Sequence, residues 1–493
     1  LAVRQPPLKR WLLFVLLIAV ITIAGLMALQ RRPLASPTPT PAPISIQSTP
    51  WQIGADVTLT LSTVPPRADQ PISLTLLAPG DHQPQVAVPS PEFFGLAGVQ
   101  LLWLSPAAQE TELALAAAGG ARYLHLAFEW NRIEAQPGEY NWDQVDTALT
   151  LAKQYDLRLV PMLLYTPDWA SQSAFAPLDY YRAPPTNYDD YRNFVYAVVN
   201  RYKPHGLSPL TADGYGITDW VIWNEPNVRP GPAAPEPGEF WIGSLEAYVR
   251  LLRAGYEGAH AADPGCNVLN GGLADVFWAP GKVDLITALE RLYDPNGDGD
   301  AADGGRPFFD TLNVHTYQLK APQAGWYQAR LEALLPVMER FGDKQKPVWI
   351  TETGYGTVTA PTQDSPYVDE TTQAEAVRLV YETVSAYPQV KRVFWWSLRD
   401  YFSNAAETNA AMEAHYGLLQ ANFSPKPSYA AYGRLTGSLG EKLTTTVTTN
   451  AAGLSTVNIP ATFIARAGTY VTFAEMDEAT LTAVDLYPVR EQH

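Results

Sequence analysis

One cysteine, Cys266, is all that 493 residues supply, so no disulfide forms within the chain. Set in "CNVLNGG", it reads as a small buried hydrophobe at a strand start, not as a nucleophile. Charge is scarce and one-sided: 17% of residues are charged and the net charge is −16. A surface that acidic repels phosphate backbones, which excludes nucleic acid as a partner. No glycine-rich phosphate fingerprint follows the first strand of the strand–helix alternation described below, which argues against a nucleotide-binding fold. Long apolar runs are also absent, with one exception. Trp11 to Leu29 holds a single Thr and no charge. As a helix it would be about 28 Å long, close to the thickness of a bilayer core.

What is there begins with that run. Arg4, Lys9 and Arg10 precede it, and Arg31 and Arg32 follow. The sequence is read as a cytoplasmic N-terminus over 1–10 and a transmembrane signal anchor over 11–29, with the rest outside the cytoplasm. A cleaved signal peptide, giving a secreted protein, is the rival reading. Residues 30–50, "RRPLASPTPTPAPISIQSTP" at their core, form a Pro/Ser/Thr-rich spacer. Residues 51–91 carry two alternating strands, "DVTLTLSTV" and "ISLTLLAP".

From 92 to 436 apolar strand runs alternate with longer helical patterns. The strands are "FGLAGVQLLW", "ARYLHLAF", "LRLVPMLLY", "ITDWVIWN", "CNVLNGGL", "FFDTLNVHTY", "KPVWITE" and "VKRVFWWSL". Segments such as "YDDYRNFVYAVVNRY" and "SLEAYVRLLRAGYEGAHAA" place apolar residues three and four apart, the helical spacing. Near-continuous apolar strands need cover on both faces. Eight repeats favour a closed (β/α)₈ barrel over an open sheet. After Gly437 the alternation stops, and residues 437–493 read as a small β module, sharing a sheet with the strands before the barrel. The expected fold is an α/β barrel with a β-rich flanking module and an N-terminal transmembrane helix.

Barrels of this kind place their chemistry at the C-terminal ends of strands. Two carboxylates end strands there: Glu225 in "VIWNEPN" on strand four, and Glu352 in "KPVWITETGYG" on strand seven. Three strand–helix units apart, they face each other across the mouth. Two facing carboxylates, one protonated and one ionised, are what glycoside cleavage requires.

"WNEPN" followed by "WITETGYG" on such a barrel resembles the clan A glycoside hydrolases, family 39 and its relatives most, with family 5 close behind. The resemblance covers Glu92 to Leu435, with support from "FEWNRIEAQPGEYNWDQVD", "LLYTPDWA" and "GLLQANFSPKPSYAAYGRL". It implies that Glu225 is the acid/base, Glu352 the nucleophile, and Asn224 a ligand of the sugar 2-hydroxyl. His315 and Tyr317, in "NVHTY", are implied to lie near both Glu residues, with Tyr317 donating to Glu352. Strand eight ends in "FWWSLRDY"; strand alternation lets one of Trp395 and Trp396 face the pocket as a floor for the sugar. Trp169, in "YTPDWA", is a further sugar-contact candidate. Many clan members carry Arg near the end of strand two, where this chain has His125.

"DPNGDGDAADGG" offers Asp294, Asn296, Asp298 and Asp300 as a candidate structural calcium loop, though Gly305 stands where a bidentate Glu is needed. The expected activity is retaining hydrolysis of an O-glycosidic bond in a polysaccharide or oligosaccharide. No cofactor is required, and the partners are the carbohydrate substrate and the membrane. A carbohydrate-binding surface protein that no longer catalyses, and a transglycosylase, are the alternatives.

Overall fold

The structure, a computed structural model, describes residues 44–490 except 89, 100, 102–103, 172–179, 229–239, 276–282, 298–307, 320, 362–364, 402–414 and 478–479. The expected anchor at 11–29 and most of the spacer lie outside the described residues. Among the described residues no helix is long and apolar enough to cross a membrane.

Three strands precede the barrel: β1 (Ile44–Ser48), β2 (Val57–Thr63) and β3 (Pro71–Pro79). The first falls within the expected spacer. Its Ile44 is buried and its ladder runs antiparallel to β2, so the alternating "ISIQS" outweighs the proline-rich stretch before it.

The barrel strands are β4 (Phe94–Ala97), β5 (Tyr123–Glu129), β6 (Arg158–Leu164), β7 (Asp219–Ile222), β8 (Asn267–Asn270), β9 (Leu273–Ala274), β10 (Leu312–Thr316), β11 (Val348–Thr353) and β12 (Val390–Trp396). They form one parallel sheet in the order β8-β7-β6-β5-β4-β12-β11-β10-β9. Each of the eight expected strands is present, the fifth split by Gly271 and Gly272 into β8 and β9. β8 pairs with β7 and β9 pairs with β10, so the two halves of one strand serve opposite neighbours. The seam is nearly closed by a Leu269–Thr311 bridge and by Asn270, whose side chain takes the Asn313 N–H at 2.8 Å and donates to the Asn313 carbonyl at 2.9 Å. An amide side chain thus substitutes for a missing ladder step. β4 is shorter than the run "FGLAGVQLLW" suggests. Gly98 ends it at φ +66°, and a Cβ there would collide with Trp396 and Tyr401.

Helices cover the outside, from Pro106–Ala118 through Leu245–Ala262 to Pro427–Leu435, and bury their apolar faces on the sheet. Inside, Tyr123, Val160, Val221, Leu269, Trp349 and Phe394 fill the barrel as one cluster. Cys266 is buried.

After the last helix come β13 (Leu439–Thr448), β14 (Leu454–Ile459), β15 (Gly468–Asp477) and β16 (Thr480–Val489). They join the N-terminal strands in two antiparallel sheets, β1-β2-β14 and β13-β3-β15-β16. Leu59, Leu61, Ile72, Leu74 and Ile459 form a second core between them. The strands before the barrel and those after it therefore share their sheets.

Candidate active site

β7 reads "DWVI" and is buried throughout. Beyond it the backbone turns into the left-handed region twice, at Trp223 (φ +74°) and at Glu225 (φ +39°). For side chains with a Cβ such conformations cost about 1–3 kcal/mol each, and the surroundings must hold them. Trp223 is held by Trp241, 5.0 Å away between ring centres, and its Nε1–H donates to the Phe240 carbonyl at 3.0 Å. Asn227, the second Asn of "WNEPN", donates to the carbonyls of Ala274 (2.7 Å) and Val283 (2.8 Å) and accepts from the Ala274 N–H (2.9 Å). The turn is clamped at both ends, and Glu225 points to the barrel axis.

β10 and β11 supply the other side. Asn313, His315 and Tyr317 alternate along the chain and so share the inward face. On β11 the register slips between Ile350 and Thr353 against β12, and the β10 ladder slips to match. This bulge turns both Thr351 and Glu352 toward His315, which strict alternation would forbid.

His315 lies between the two carboxylates. Its Nδ1 is 2.8 Å from Glu225 Oε1 and 3.5 Å from Glu352 Oε2. Its Nε2 is 3.0 Å from Thr351 Oγ1. Thr351 spends its single proton on Asn313 Oδ1 at 2.6 Å, because the Asn313 amide nitrogen donates to the Asn270 carbonyl at 3.2 Å. Thr351 therefore accepts from His315 Nε2–H, and this assignment leaves Nδ1 as a lone pair. Burial lowers the pKa of His315, and the negative charge of Glu352 offsets this only in part. With the imidazole neutral, the proton in the 2.8 Å contact belongs to Glu225, which donates to Nδ1. Glu352 instead accepts a hydrogen bond from the Tyr317 hydroxyl at 2.7 Å. Burial, then the charge of Glu352, push Tyr317 well above the ordinary phenol range, so it keeps its proton and remains a donor. One carboxyl is set up to give a proton and the other to stay ionised.

The remaining candidates divide. Asn224, which precedes Glu225 in the chain, is buried, and its Oδ1 has no protein partner. Trp396 faces inward and meets Tyr317 at 6.1 Å, Tyr401 at 5.5 Å and Tyr416 at 5.1 Å. Trp395 lies on the other face, fully buried in the outer core, with Nε1–H donating to the Tyr416 carbonyl. Trp169 is tied to the loop after β5, donating to the Glu134 carbonyl at 3.0 Å and stacking edge-on to Trp130. His125 reaches the axis and is fully buried. Its Nδ1–H donates to the Val160 carbonyl at 2.7 Å, and its Nε2 has no partner. Burial drives its pKa to about 3, so it is neutral and cannot supply the positive charge of an Arg. Of the candidate calcium loop, Asp294 accepts from the Gly297 N–H at 2.8 Å, while Asp298 and Asp300 lie outside the described residues.

Sequence reasoning did not single out Thr351, Asn313, Asn270 or Tyr416. The alternation in "NVHTY" could have exposed Asn313, whereas Thr351 depends on the bulge.

Residues 302–424 match the family described as "Glycosyl hydrolase catalytic core". That segment holds His315, Tyr317, Glu352 and Trp396. A "Beta-xylosidase" of Caldicellulosiruptor saccharolyticus is 23% identical over 236 residues, which are 46% of this chain and 43% of that enzyme. The match thus spans less than half the length of that relative. A GH39 beta-xylosidase from Caulobacter crescentus superposes with a TM-score of 0.50 at 18% identity, over 74% of this chain and 75% of that one. A GH5_18 protein from Streptomyces cattleya, in complex with GlcNAc, gives 0.53 at 16% identity, over 71% and 80%. The two structures share the fold. The motifs, the barrel and the matched core agree in making the chain similar to the clan A glycoside hydrolases, family 39 most.

Proposed function

We propose that this protein is a retaining glycosidase that cleaves a β-linked oligosaccharide or polysaccharide, with β-xylosides as the first substrate class, outside the cytoplasm. What carries this reading is the sharing of His315 Nδ1 by Glu225 and Glu352. Laid end to end, the distances of 2.8 Å and 3.5 Å put the two nearest carboxylate oxygens no more than about 6.3 Å apart. Retaining enzymes hold their carboxyls at about 5–5.5 Å, and inverting ones leave about 6.5–9.5 Å for a water.

The chemistry follows from the proton positions. Glu225 gives its proton to the glycosidic oxygen as a Glu352 oxygen attacks the anomeric carbon. The glycosidic C–O bond breaks, the aglycone leaves as an alcohol, and a glycosyl ester forms on Glu352. Glu225, now a carboxylate, faces the lone pair of His315 Nδ1. That repulsion favours regaining a proton, so Glu225 takes one from water as the water oxygen attacks the anomeric carbon. The C–O bond to Glu352 breaks and the resting state returns. Asn224 offers its unpartnered amide oxygen to the sugar 2-hydroxyl, and Trp396 is the floor beneath the ring. Xylosides come first because beta-xylosidases recur among the similar proteins. The extracytoplasmic location rests on the apolar run at 11–29.

The test is a panel of aryl β-glycosides, led by the xyloside, with wild type and Glu352→Gln, and NMR of the first sugar released. Retention of the β anomer and an inert Glu352→Gln support the reading. An α product, or unchanged activity in the variant, overturns it. Adding an alcohol acceptor separates transglycosylation from hydrolysis.

A further inference from the structure

His125 has no use in the chemistry above, yet it stands at the barrel axis with a bare nitrogen. Among the described residues, His125, His315 and Glu352 are the one group of such side chains whose ligand atoms all lie within 4.8 Å of one another. We propose that these three residues form a binding site for a divalent transition ion of the zinc type, and that its occupation shuts the catalytic centre.

The argument starts from the direction of the ring nitrogens. A metal-binding imidazole offers one nitrogen as a lone pair and fixes its ring by donating the other N–H to an oxygen. Both histidines are arranged so. His125 donates Nδ1–H to the Val160 carbonyl at 2.7 Å, which leaves Nε2 bare, and that atom is buried with no partner. His315 directs Nε2–H to Thr351 at 3.0 Å, which leaves Nδ1 as a lone pair. Glu352 Oε2 is 3.5 Å from that Nδ1. In a tetrahedral site with bonds of about 2.0–2.2 Å, neighbouring ligand atoms lie about 3.3 Å apart. The His315–Glu352 pair already has that spacing. No pair has to close by more than about 1.5 Å, since all the ligand atoms lie within 4.8 Å of one another.

The donor set selects the ion. Two imidazoles and a carboxylate suit zinc, copper or nickel, whereas calcium and magnesium need a shell of oxygens. Glu225 Oε1, 2.8 Å from His315 Nδ1, or a water can complete the shell.

The consequence for catalysis rests on the glycosidase reading; the binding itself does not. A cation on His315 Nδ1 takes the lone pair that accepts the Glu225 proton. On Glu352 it ties up the carboxylate that would attack the sugar. One ion therefore disables both carboxylates.

The experiment is calorimetric titration of the EDTA-dialysed full chain with zinc chloride, alongside His125→Gln and His82→Asn, the latter removing an exposed histidine. One equivalent should bind to wild type and to His82→Asn, with affinity lowered about 10-fold or more in His125→Gln. No binding, or binding equal in all three proteins, overturns the site. Should His125→Gln fail to fold, cobalt on the wild type decides. Intense visible bands of a four-coordinate ion support the site, and the weak bands of a hydrated ion overturn it. Each readout is independent of turnover, so the site can stand or fall apart from the glycosidase reading. Where the xyloside is cleaved, zinc should inhibit wild type, EDTA should restore it, and His125→Gln should resist.

Discussion

His315 Nδ1 lies 2.8 Å from Glu225 and 3.5 Å from Glu352, and Thr351 fixes which proton the ring can carry. The two carboxylates differ because one meets a lone pair and the other meets a hydroxyl donor. The first prediction follows. Glu225→Gln removes the acid but leaves the nucleophile. Activity on glycosides with poor leaving groups should fall about 10²–10⁴-fold, and far less on activated aryl glycosides. Added azide, which needs no base, should rescue the second step and yield a glycosyl azide of retained configuration. Rescue with inverted configuration would make Glu225 the base of an inverting enzyme.

Tyr317→Phe tests the other carboxylate. The hydroxyl donates to Glu352 at 2.7 Å, and a hydrogen bond to a charged group contributes about 1.5–3 kcal/mol. The ring itself packs edge-on to Trp396 and Tyr416, and Phe preserves those contacts. We expect kcat/KM to fall about 10- to 100-fold while the melting temperature changes little. An unchanged kcat/KM would mean that Glu352 does not depend on this donor.

Thr351→Val removes a hydroxyl without changing shape much. Two buried groups then lose their partner, His315 Nε2–H and Asn313 Oδ1, at a stability cost of about 1–3 kcal/mol for each. The ring is free to take the other tautomer, with Nδ1–H donating to Glu225 and the acid proton lost. The loss of kcat should therefore be steep for poor leaving groups and shallow for activated ones. A uniform loss across leaving groups would assign Thr351 a packing role only. Thr351→Ser, which keeps the hydroxyl, should behave as wild type.

Much of this was legible in the chain because burial and polarity conflict in only a few places. "VIWNEPN" and "VWITETG" each run an apolar strand into a carboxylate, and a buried charge needs a purpose. The eight strands are legible for the same reason, since a strand covered on both faces must be apolar throughout. The proton arrangement was hidden. It depends on a one-residue bulge in β11 that turns Thr351 and Glu352 the same way, and on a strand split at Gly271–Gly272 whose gap Asn270 fills. Neither leaves a periodic signal. Trp395 and Trp396 could not be told apart by composition; their faces are set by Phe394, which points into the barrel.

The helix Glu370–Ser385, which packs behind β12, offers a test of the scaffold independent of activity. Asp369 caps it, accepting the Thr372 N–H at 2.7 Å. That backbone hydrogen bond holds the Asp369 carboxyl below the usual carboxylate range. A depressed folded pKa means that the ionised cap stabilises the fold above the unfolded value of about 3.9 and loses its effect as pH falls through the folded value. Asp369→Ala should cost about 1 kcal/mol at neutral pH, read as a lower melting temperature. Asp369→Asn, which caps without titrating, should stay near wild type at neutral pH and lose less than wild type on acidification. Were Asp369→Asn as acid-sensitive as wild type, the acid response of the fold would have to come from other carboxylates.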